Sequence, residues 1–376
     1  MNDDTRRDFL KRVMASAAAA ALSPAIAWAQ DRPKIPYVDG LSFLSPDPAD
    51  VGRSGLSAFI CDVSSAERLN TTDGSLKFYR SFEACAKSMT ATRRALESGR
   101  IPGAFLATRG SEIREAFKDG RTAIFFQFQG CEPIGDQLWR LELFHELGLR
   151  VQQITHHNDN PWGGGAIEKN WTGLTKVGIE GVERLNALNI IPDLSHSSDL
   201  TALDVLKTSR KPVIISHGGA RALVPTARCT PDEVIRKVGE SGGMMGIFMM
   251  TMWLTTDPQP TTDAYVRQLR HVANVAGIDA VGIANDYSIA GELTAAKAGN
   301  DNAKIISNYY AWWDSVAKQG VMGFDVRPPH AVIPELNNVR RMFLIEAALR
   351  KANFTPAEIE KIMGGNWIRV LQQVLM

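Results

Sequence analysis

Two histidines stand at the same point of two apolar segments, and their types and spacing suit them to metal chemistry. Residues 190–196 and 212–217 each end in Ser-His, at His196 and His217. Residues 199–207 between them have the pattern of a helix. Strand, helix and strand in this order form the unit of a parallel sheet. Two imidazoles at the carboxyl ends of neighbouring strands predict one shared metal site. The alternative is an unrelated pair, in which one histidine caps a helix and the other is satisfied in the core.

Other strand ends carry polar residues as well. His156 and His157 follow an apolar segment at 150–155, and Asp286 closes another at 280–286. In a barrel of parallel strands, all of these ends meet on one face. Two further histidines, His145 and His271, fall on predicted helices, where we expect surface or packing roles.

The elements that position these residues alternate along the chain. Helical patterns separate most of the strands, and each strand is apolar on both faces, which requires cover on both sides. The sequence therefore predicts an α/β fold, a single (β/α)8 TIM-type barrel with extra C-terminal helices. An open, doubly wound sheet is the alternative, but no glycine-rich phosphate loop follows the first strand. The principal predicted strands are 34–39, 57–63, 122–128, 150–155, 190–196, 212–217, 244–250 and 280–286, with a weak extra strand at 104–108.

The amino terminus has the pattern of an export signal. Residues 5–11 read Thr-Arg-Arg-Asp-Phe-Leu-Lys, an alanine-rich apolar run follows at 13–26, and Ala27-Trp28-Ala29 offers a cleavage site. We expect residues 1–29 to be a twin-arginine signal peptide and 30–376 to be one periplasmic barrel domain. The apolar run is short for a membrane anchor, and no later stretch is long enough to span a bilayer.

Composition narrows the classes of partner. The chain has 376 residues, of which 44% are hydrophobic and 22% charged, as in ordinary globular proteins. A net charge of +1 argues against a nucleic-acid partner. The four cysteines are scattered without a C-x-x-C pair, so the sequence leaves their disulfide status open. Tyr309, Tyr310, Trp312 and Trp313 lie in a long segment without strands and predict a lid or a subunit contact, which would be compatible with a homodimer.

The order of the motifs resembles the membrane (renal) dipeptidase family, peptidase family M19, over nearly the whole mature chain. The similar segments are Thr-His-His-Asn-Asp-Asn-Pro-Trp at 155–162, Ser-His-Gly-Gly-Ala at 216–220 followed by Arg228 and Pro-Asp-Glu-Val at 231–234, and Gly-Gly-Asn-Trp-Ile-Arg-Val at 364–370.

This resemblance implies a role for each matching residue. His196 and His217 correspond to histidine ligands of one zinc, and His156 to the histidine that contacts the scissile carbonyl. Arg228 corresponds to the arginine that holds the substrate carboxylate, a task suited to a planar fork of donors. Asp286 corresponds to the aspartate that accepts a proton from the attacking water and contacts the substrate amine. Taken singly, Asp286 could be a helix cap and Arg228 a solvated surface charge.

The sequence departs from the family at the other metal. The family's first strand supplies a histidine and an aspartate, where this chain has Leu41 and Phe43, and its bridging glutamate is replaced by Gln129. The resemblance therefore implies at most one zinc ion, with Gln129 a doubtful ligand. A catalytic zinc usually keeps three protein ligands. Asp286 is the candidate for the third, and Cys131 is a weaker one.

Three hypotheses follow for the function. The first is an exported hydrolase that cleaves a dipeptide or a related amino-acid amide. The second is a recruited barrel that tailors a peptide-derived metabolite without hydrolysis. The third is a non-catalytic binding or accessory protein that keeps the carboxylate-holding Arg228.

Overall fold

One parallel sheet curves around the centre of the molecule. The computed structural model describes residues 33–70 and 76–376, and residues 35–376 form one compact unit. The predicted signal peptide, 1–29, lies outside the described residues. In chain order the strands are β1 (Val38–Ser42), β2 (Ala58–Asp62), β3 (Glu67–Asn70), β4 (Leu76–Tyr79), β5 (Ala104–Leu106), β6 (Thr122–Gln129), β7 (Leu149–Gln153), β8 (Ile191–Asp193), β9 (Ile214–Gly218), β10 (Met244–Ile247) and β11 (Val281–Ile283).

The strand order confirms the predicted barrel. The order is β1-β2-β6-β7-β8-β9-β10-β11, all neighbours are parallel, and the short β5 pairs with β6. Backbone hydrogen bonds bring the two ends of this path together, because the carbonyl of Leu41 accepts from Asn285 at 3.2 Å and from Asp286 at 2.9 Å. The result is a nearly closed ring of eight strands rather than an open, doubly wound sheet.

Helices cover the outside of the ring and extend beyond it at the carboxyl terminus. They are α1 (Asp50–Ser54), α2 (Phe82–Glu97), α3 (Glu112–Asp119), α4 (Arg140–Leu147), α5 (Lys176–Ala187), α6 (Asp199–Thr208), α7 (Asp232–Glu240), α8 (Thr262–Ala276), α9 (Leu293–Lys297), α10 (Asn302–Ile305), α11 (Ser307–Ala317), α12 (Arg341–Lys351), α13 (Pro356–Glu360) and α14 (Asn366–Val374), with a π-helical turn at Lys361–Gly365. Hydroxyl caps begin several of them: Ser198 accepts from the amide of Thr201 at α6, and Thr355 forms a capping box with Glu358 at α13. The predicted extra C-terminal helices are α12 to α14.

Trp367 of α14 closes one end of the barrel. Its ring is fully buried, and its Nε1 donates to the carbonyl of Ile283 at 3.0 Å. Glycines face the ring from three strands, and a Cβ at Gly40, Gly246 or Gly282 would lie within 3 Å of it. The glycines therefore make room for the indole, and the opposite, carboxyl-terminal face of the barrel is left for chemistry.

Several predicted boundaries are wrong for identifiable reasons. Residues 75–97 carry apolar residues at helical spacing, which predicts one long helix. The chain instead forms the antiparallel pair β3–β4, and α2 begins only at Phe82, where Ser81 accepts from the amide of Ala84 at 3.2 Å. Strands β8 and β11 end three residues before His196 and Asp286, because both residues adopt a left-handed backbone, with φ of 64°. All four cysteines are buried free thiols. In the described ranges, no helix has both the length and the apolar character needed to cross a bilayer.

Candidate active site

The carboxyl ends of β8, β9 and β11 bring three predicted residues together. His217 lies within β9, whereas His196 and Asp286 follow β8 and β11. Nε2 of His196 lies 2.8 Å from Nε2 of His217, and Oδ1 of Asp286 lies 3.8 Å from that same atom of His217. Two imidazole nitrogens and one carboxylate oxygen thus converge at the strand ends where the sequence predicts a shared site.

The donor set suits a zinc ion. One potential ligand atom from each of His196, His217 and Asp286 lies within 4.8 Å of the other two. A set of two imidazoles and one carboxylate is a frequent catalytic zinc combination. Nη2 of Arg228 lies 2.9 Å from His196 Nε2, and since a guanidinium only donates, that nitrogen carries a lone pair. An ion that binds Nε2 of His196 must therefore displace the guanidinium of Arg228 from it.

His156 and His157 extend the cluster on the β7 side. The ring of His156 stacks on that of His196 with centroids 4.2 Å apart and an interplanar angle of 20°. Nδ1 of His157 lies 3.0 Å from Nδ1 of His196. Because Nε2 of His196 accepts from Arg228, its hydrogen is on Nδ1 and is donated to His157. The predicted site histidine, His156, thus lies against the ligand pair, and His157 is an additional neighbour.

The four histidines are neutral. Burial, reinforced by the nearby Arg228 guanidinium, holds the pKa of His196 and of His217 well below the usual range. Burial and the Arg80 guanidinium do the same to the pKa of His156, and burial with Arg228 to that of His157. A metal ligand must be a neutral imidazole, so these pKa directions favour ion binding.

Burial and the neighbouring charges set the acidity of Asp286 in opposite directions. Burial raises the pKa of Asp286 to about 7, although the Arg228 guanidinium opposes the shift. A cation held by this carboxylate would favour its charged form and so lower the pKa. The left-handed backbone of Asp286, shared with His196, is uncommon outside glycine and asparagine and costs roughly 1–3 kcal/mol where it is strained. His196 and Asp286, which both adopt this left-handed conformation, are thus both residues of the site.

Arg228 lies inside the site and not on the surface. Its side chain is buried, with the guanidinium carbon 5.1 Å from the ring centre of Phe248 and 5.5 Å from that of Trp253. Its Nε has no hydrogen-bond partner. A buried guanidinium with a free donor and aromatic support is prepared to bind a carboxylate.

Comparison with known proteins identifies the family. A model of the membrane dipeptidases, peptidase family M19, matches residues 62–306, which is more than half of the 376-residue chain. The chain belongs to the membrane dipeptidase family. This confirms the resemblance drawn from the strand-end motifs. Members of the family are metallopeptidases that typically use zinc, in agreement with the ligand set at His196, His217 and Asp286.

Individual relatives are moderately similar. Dipeptidase tcpJ of Claviceps purpurea is 29% identical over 273 residues, which cover 72% of this chain and 55% of that protein. The chain therefore spans about half the length of this curated relative. An amidohydrolase from Pseudomonas aeruginosa is 26% identical, with a TM-score of 0.73 and coverage of 94% of this chain and 99% of the other. A metallopeptidase from Rhodobacter sphaeroides, liganded with a phosphinate mimic of L-Ala-D-Ala, shares the fold at 20% identity, with a TM-score of 0.72 and coverage of 90% and 99%.

Leu41 and Gln129, two of the residues that depart from the family's pattern of metal ligands, make contacts within the barrel. Leu41 is fully buried in β1 and offers only its backbone carbonyl to β11. Nε2 of Gln129 donates to Oδ2 of Asp62 at 3.1 Å, which ties the doubtful ligand to β2. Cys131 donates to the carbonyl of Gln153, and burial raises the pKa of its thiol well above the usual range, so it remains protonated. Neither metal-ligand cluster found among the described residues contains Cys131.

The remaining histidines have structural roles. His271 pairs with Asp232 across α7 and α8 at 2.8 Å, and His145 is a partly exposed residue of α4. His330 is buried between the hydroxyl of Thr251 and the carbonyl of Asp257. The prediction that His145 and His271 lie on helices is confirmed.

Two residues near the site, Asp193 and Asp62, were missed by sequence reasoning, whereas Trp312 belongs to the predicted aromatic segment. Asp193 lies two positions before the first Ser-His, so an Asp-x-Ser-His pattern was the available signal. Asp62 ends β2 next to Gln129, and only its place at a strand end could have indicated it. Trp312 lies with its ring centre 5.3 Å from that of His157. The predicted aromatic lid segment therefore covers this side of the site, while a subunit contact stays a prediction.

Proposed function

We propose that this chain is a dipeptidase-like hydrolase that cleaves a dipeptide or a related amino-acid amide and uses at most one zinc ion. The convergence of His196 Nε2, His217 Nε2 and the Asp286 carboxylate beside Arg228 is the observation that carries this proposal. Family membership supports hydrolysis over non-hydrolytic tailoring and over a purely binding role. The names of the tcpJ dipeptidase and of the phosphinate-liganded metallopeptidase are consistent with a dipeptide-type substrate.

Each residue of the site has a separate role in the proposed hydrolysis. Arg228 binds the substrate carboxylate, which orients the peptide with its scissile carbonyl toward His156 and His196. A zinc ion held by His196, His217 and Asp286 would polarise that carbonyl and lower the pKa of a bound water. The Asp286 carboxylate accepts the proton of the attacking water and passes it to the leaving amine. His156, which is neutral, donates a hydrogen bond to the developing oxyanion.

Metal analysis and a dipeptide panel test the proposal together. We expect about one zinc per chain in the purified protein, and its loss in a His196→Ala variant, because three ligands hold a single ion. Asp286→Asn is expected to lower the rate on Ala- or Gly-containing dipeptides by roughly 10²–10⁴-fold, since the amide cannot accept a proton. Two zinc ions per chain would refute the single-ion site. A metal-free protein without peptidase activity would refute the hydrolase.

We also propose that the protein is exported to the periplasm by the twin-arginine pathway. The support is the Arg6-Arg7 pair, the apolar run and the Ala-x-Ala site that precedes Gln30. Replacing both Arg6 and Arg7 with lysine is expected to retain the unprocessed chain in the cytoplasm. Fractionation of cells that express each form checks this, and equal processing of both forms would contradict it.

A further inference from the structure

Arg80 is a buried cation on the β2 and β6 side of the site, and one of its donors is free. It follows β4 and is 4% exposed. Its Nε donates to the hydroxyl of Ser64 at 3.1 Å, and its Nη1 lies 3.9 Å from Oε1 of Glu132. The second distance is that of an ion pair but is too long for a hydrogen bond. Nη1 is therefore buried without a hydrogen-bond partner among the described residues.

The neighbouring carboxylates hold the guanidinium but do not take up Nη1. Oδ1 of Asp62 accepts from the amide and the hydroxyl of Ser64, at 2.8 and 2.6 Å, and Oδ2 accepts from Nε2 of Gln129 at 3.1 Å. Glu132 stays at ion-pair distance. A buried charged donor that is left unsatisfied is costly, so the free Nη1 is prepared for an acceptor that a ligand brings.

The residues on this side of the site do not fit a second metal ion. The side chain of Leu41 is buried and has no ligand atom. Nε2 of Gln129 donates to Asp62, so the amide presents its hydrogens, and not its oxygen, to that carboxylate. Within residues 33–70 and 76–376, neither metal-ligand cluster contains Asp62 or Glu132. The positive charge on this side belongs to Arg80 instead.

Arg80 and Arg228 lie on opposite sides of the carboxyl-terminal face of the barrel. Arg80 pairs with residues that follow β2 and β6, whereas Arg228 follows β9 and lies over the ring of Phe248, which follows β10. In the order β1-β2-β6-β7-β8-β9-β10-β11, these two pairs of strands are half a ring apart. Burial lowers the pKa of His156 most, and Arg80 then lowers it more than Arg228 does. Arg80 is thus the stronger of the two cations at His156.

We propose that Arg80 supplies the second positive charge of the site in place of a second metal ion and donates from Nη1 to the oxyanion that forms on the scissile carbonyl. The proposal rests on the proposed hydrolysis, in which His156 donates to the same oxygen. A peptide whose carboxylate is held by Arg228 directs its scissile carbonyl toward the opposite side of the site. A fixed guanidinium there stabilises the negative charge as it develops, without reorganisation.

Kinetics of an Arg80→Met variant on dipeptides test this role. We expect kcat to fall roughly 10²–10³-fold, the usual effect of losing one oxyanion donor, with little change in KM because Arg228 still binds the carboxylate. The variant leaves Glu132 without its ion-pair partner, so the double variant Arg80→Met/Glu132→Gln is measured as well, and thermal unfolding shows that each is folded.

Arg140 provides a matched control. Its Nε is also buried without a partner among the described residues, and its guanidinium carbon lies 4.6 Å from the ring centre of Phe82. It begins α4, on the outside of the barrel. Arg140→Met therefore removes a comparable side chain and is expected to keep kcat.

Two uncleavable dipeptide analogues report the role of Arg80 without turnover. A phosphinate carries negative charge at its tetrahedral centre, whereas a ketomethylene analogue keeps an uncharged carbonyl. Calorimetry on the protein as purified is expected to show roughly 10–100-fold weaker binding of the phosphinate to Arg80→Met, since a hydrogen bond to a charged group is lost. The ketomethylene analogue is expected to bind both proteins with similar affinity.

The outcomes separate this inference from the proposed function. A folded Arg80→Met variant with the kcat and the phosphinate affinity of the unaltered protein would overturn the inference. So would equal losses of affinity for the two analogues, which would indicate a distorted site. If the unaltered protein cleaves no dipeptide, the proposed function fails, whereas a loss confined to the phosphinate would still show that Arg80 binds the tetrahedral anion.

Discussion

The role of Arg228 in binding the substrate carboxylate can be tested with a substitution that keeps its charge. The guanidinium is buried over Phe248 and Trp253 and has a donor without a partner. Lysine keeps the charge but loses the planar fork that matches a carboxylate. We expect Arg228→Lys to raise KM for dipeptides roughly 10–100-fold, because hydrogen bonds to charged groups contribute about 1.5–3 kcal/mol. Steady-state kinetics on a neutral dipeptide measure this change.

A substrate without a free carboxylate supplies the control for Arg228. A dipeptide amide has no carboxylate to pair with the guanidinium, so the unaltered protein and Arg228→Lys are expected to cleave it at similar low rates. If the lysine variant lost as much activity on the amide as on the free dipeptide, Arg228 would act through His196 and not through the substrate.

The site residues predicted from sequence are those that a strand end and a residue type identify together. His196, His217 and Asp286 could be predicted because ligand chemistry and position coincide. Asp193 and Asp62 could not, since a buried carboxylate in a strand looks like packing until its partners are known. Their partners come from other strands, at sequence separations that no local pattern reveals, such as Gln127 for Asp193.

At the scale of elements, α11 connects the late segment of the chain to the site. Trp312 lies 5.3 Å from the ring of His157, 6.1 Å from that of Trp253 and 5.7 Å from that of Phe324. A small cavity of about 20 Å³ lies between this helix and the end of β7. The helix therefore supports the histidine cluster from outside the barrel.

Trp312→Ala tests this support. The substitution opens space beside His157, so we expect a lower kcat/KM together with a loss of roughly 1–3 kcal/mol in the free energy of unfolding, less than for a fully buried tryptophan. Trp139, which precedes α4 and is 57% exposed, gives the matched variant Trp139→Ala, with little expected effect on either quantity. If Trp312→Ala and Trp139→Ala had the same kcat/KM, α11 would have no role in supporting the site.

The closed end of the barrel makes a second prediction at this scale. A Cβ on Gly40 would lie 2.3 Å from the ring of Trp367 and 2.5 Å from the backbone carbonyl of Ser216, which cannot move away. Gly40→Ala is therefore expected to lower the free energy of unfolding by roughly 1–3 kcal/mol. Gly52→Ala, within α1 and with open space around it, is expected to be neutral or to stabilise by a few tenths. Denaturant titration compares them, and similar stability would contradict tight packing around Trp367.

A helix or strand was predictable where the spacing of its apolar residues agreed with its end signals, and it was missed where the two conflicted. The barrel follows from the alternation of apolar strands and helices, because parallel strands must be covered. The β3–β4 pair was missed because apolar residues at 78 and 82 have helical spacing, whereas the helix cap at Ser81 lies between them. The helix therefore begins after the Ser81 cap, although the spacing of the apolar residues predicts an earlier start.

Across the whole molecule, the site concentrates charge and imidazole in a buried region, and this has a stability cost on acidification. The folded pKa values of His156, His157, His196 and His217 all lie well below 6.5. The unfolded chain therefore binds protons on these four histidines below about pH 6.5 while the folded chain does not. Stability falls as pH decreases through this window, by up to about 1.4 kcal/mol per pH unit for each histidine.

Buried carboxyl groups act in the opposite direction. Burial raises the pKa of Asp286 to about 7 and that of Asp39 to about 6, and it also raises the pKa values of Asp62, Glu132 and Asp193. The folded chain takes up these protons at higher pH than the unfolded chain, so these groups stabilise the fold as pH falls. The histidine contribution is therefore measured by a variant and not by the net slope. We expect metal-stripped His157→Gln to lose less stability than the unaltered protein between about pH 6.5 and pH 5, by up to about 1.4 kcal/mol per pH unit. Denaturant titrations at several pH values compare the two proteins, and an identical pH dependence would mean that burial does not hold His157 neutral.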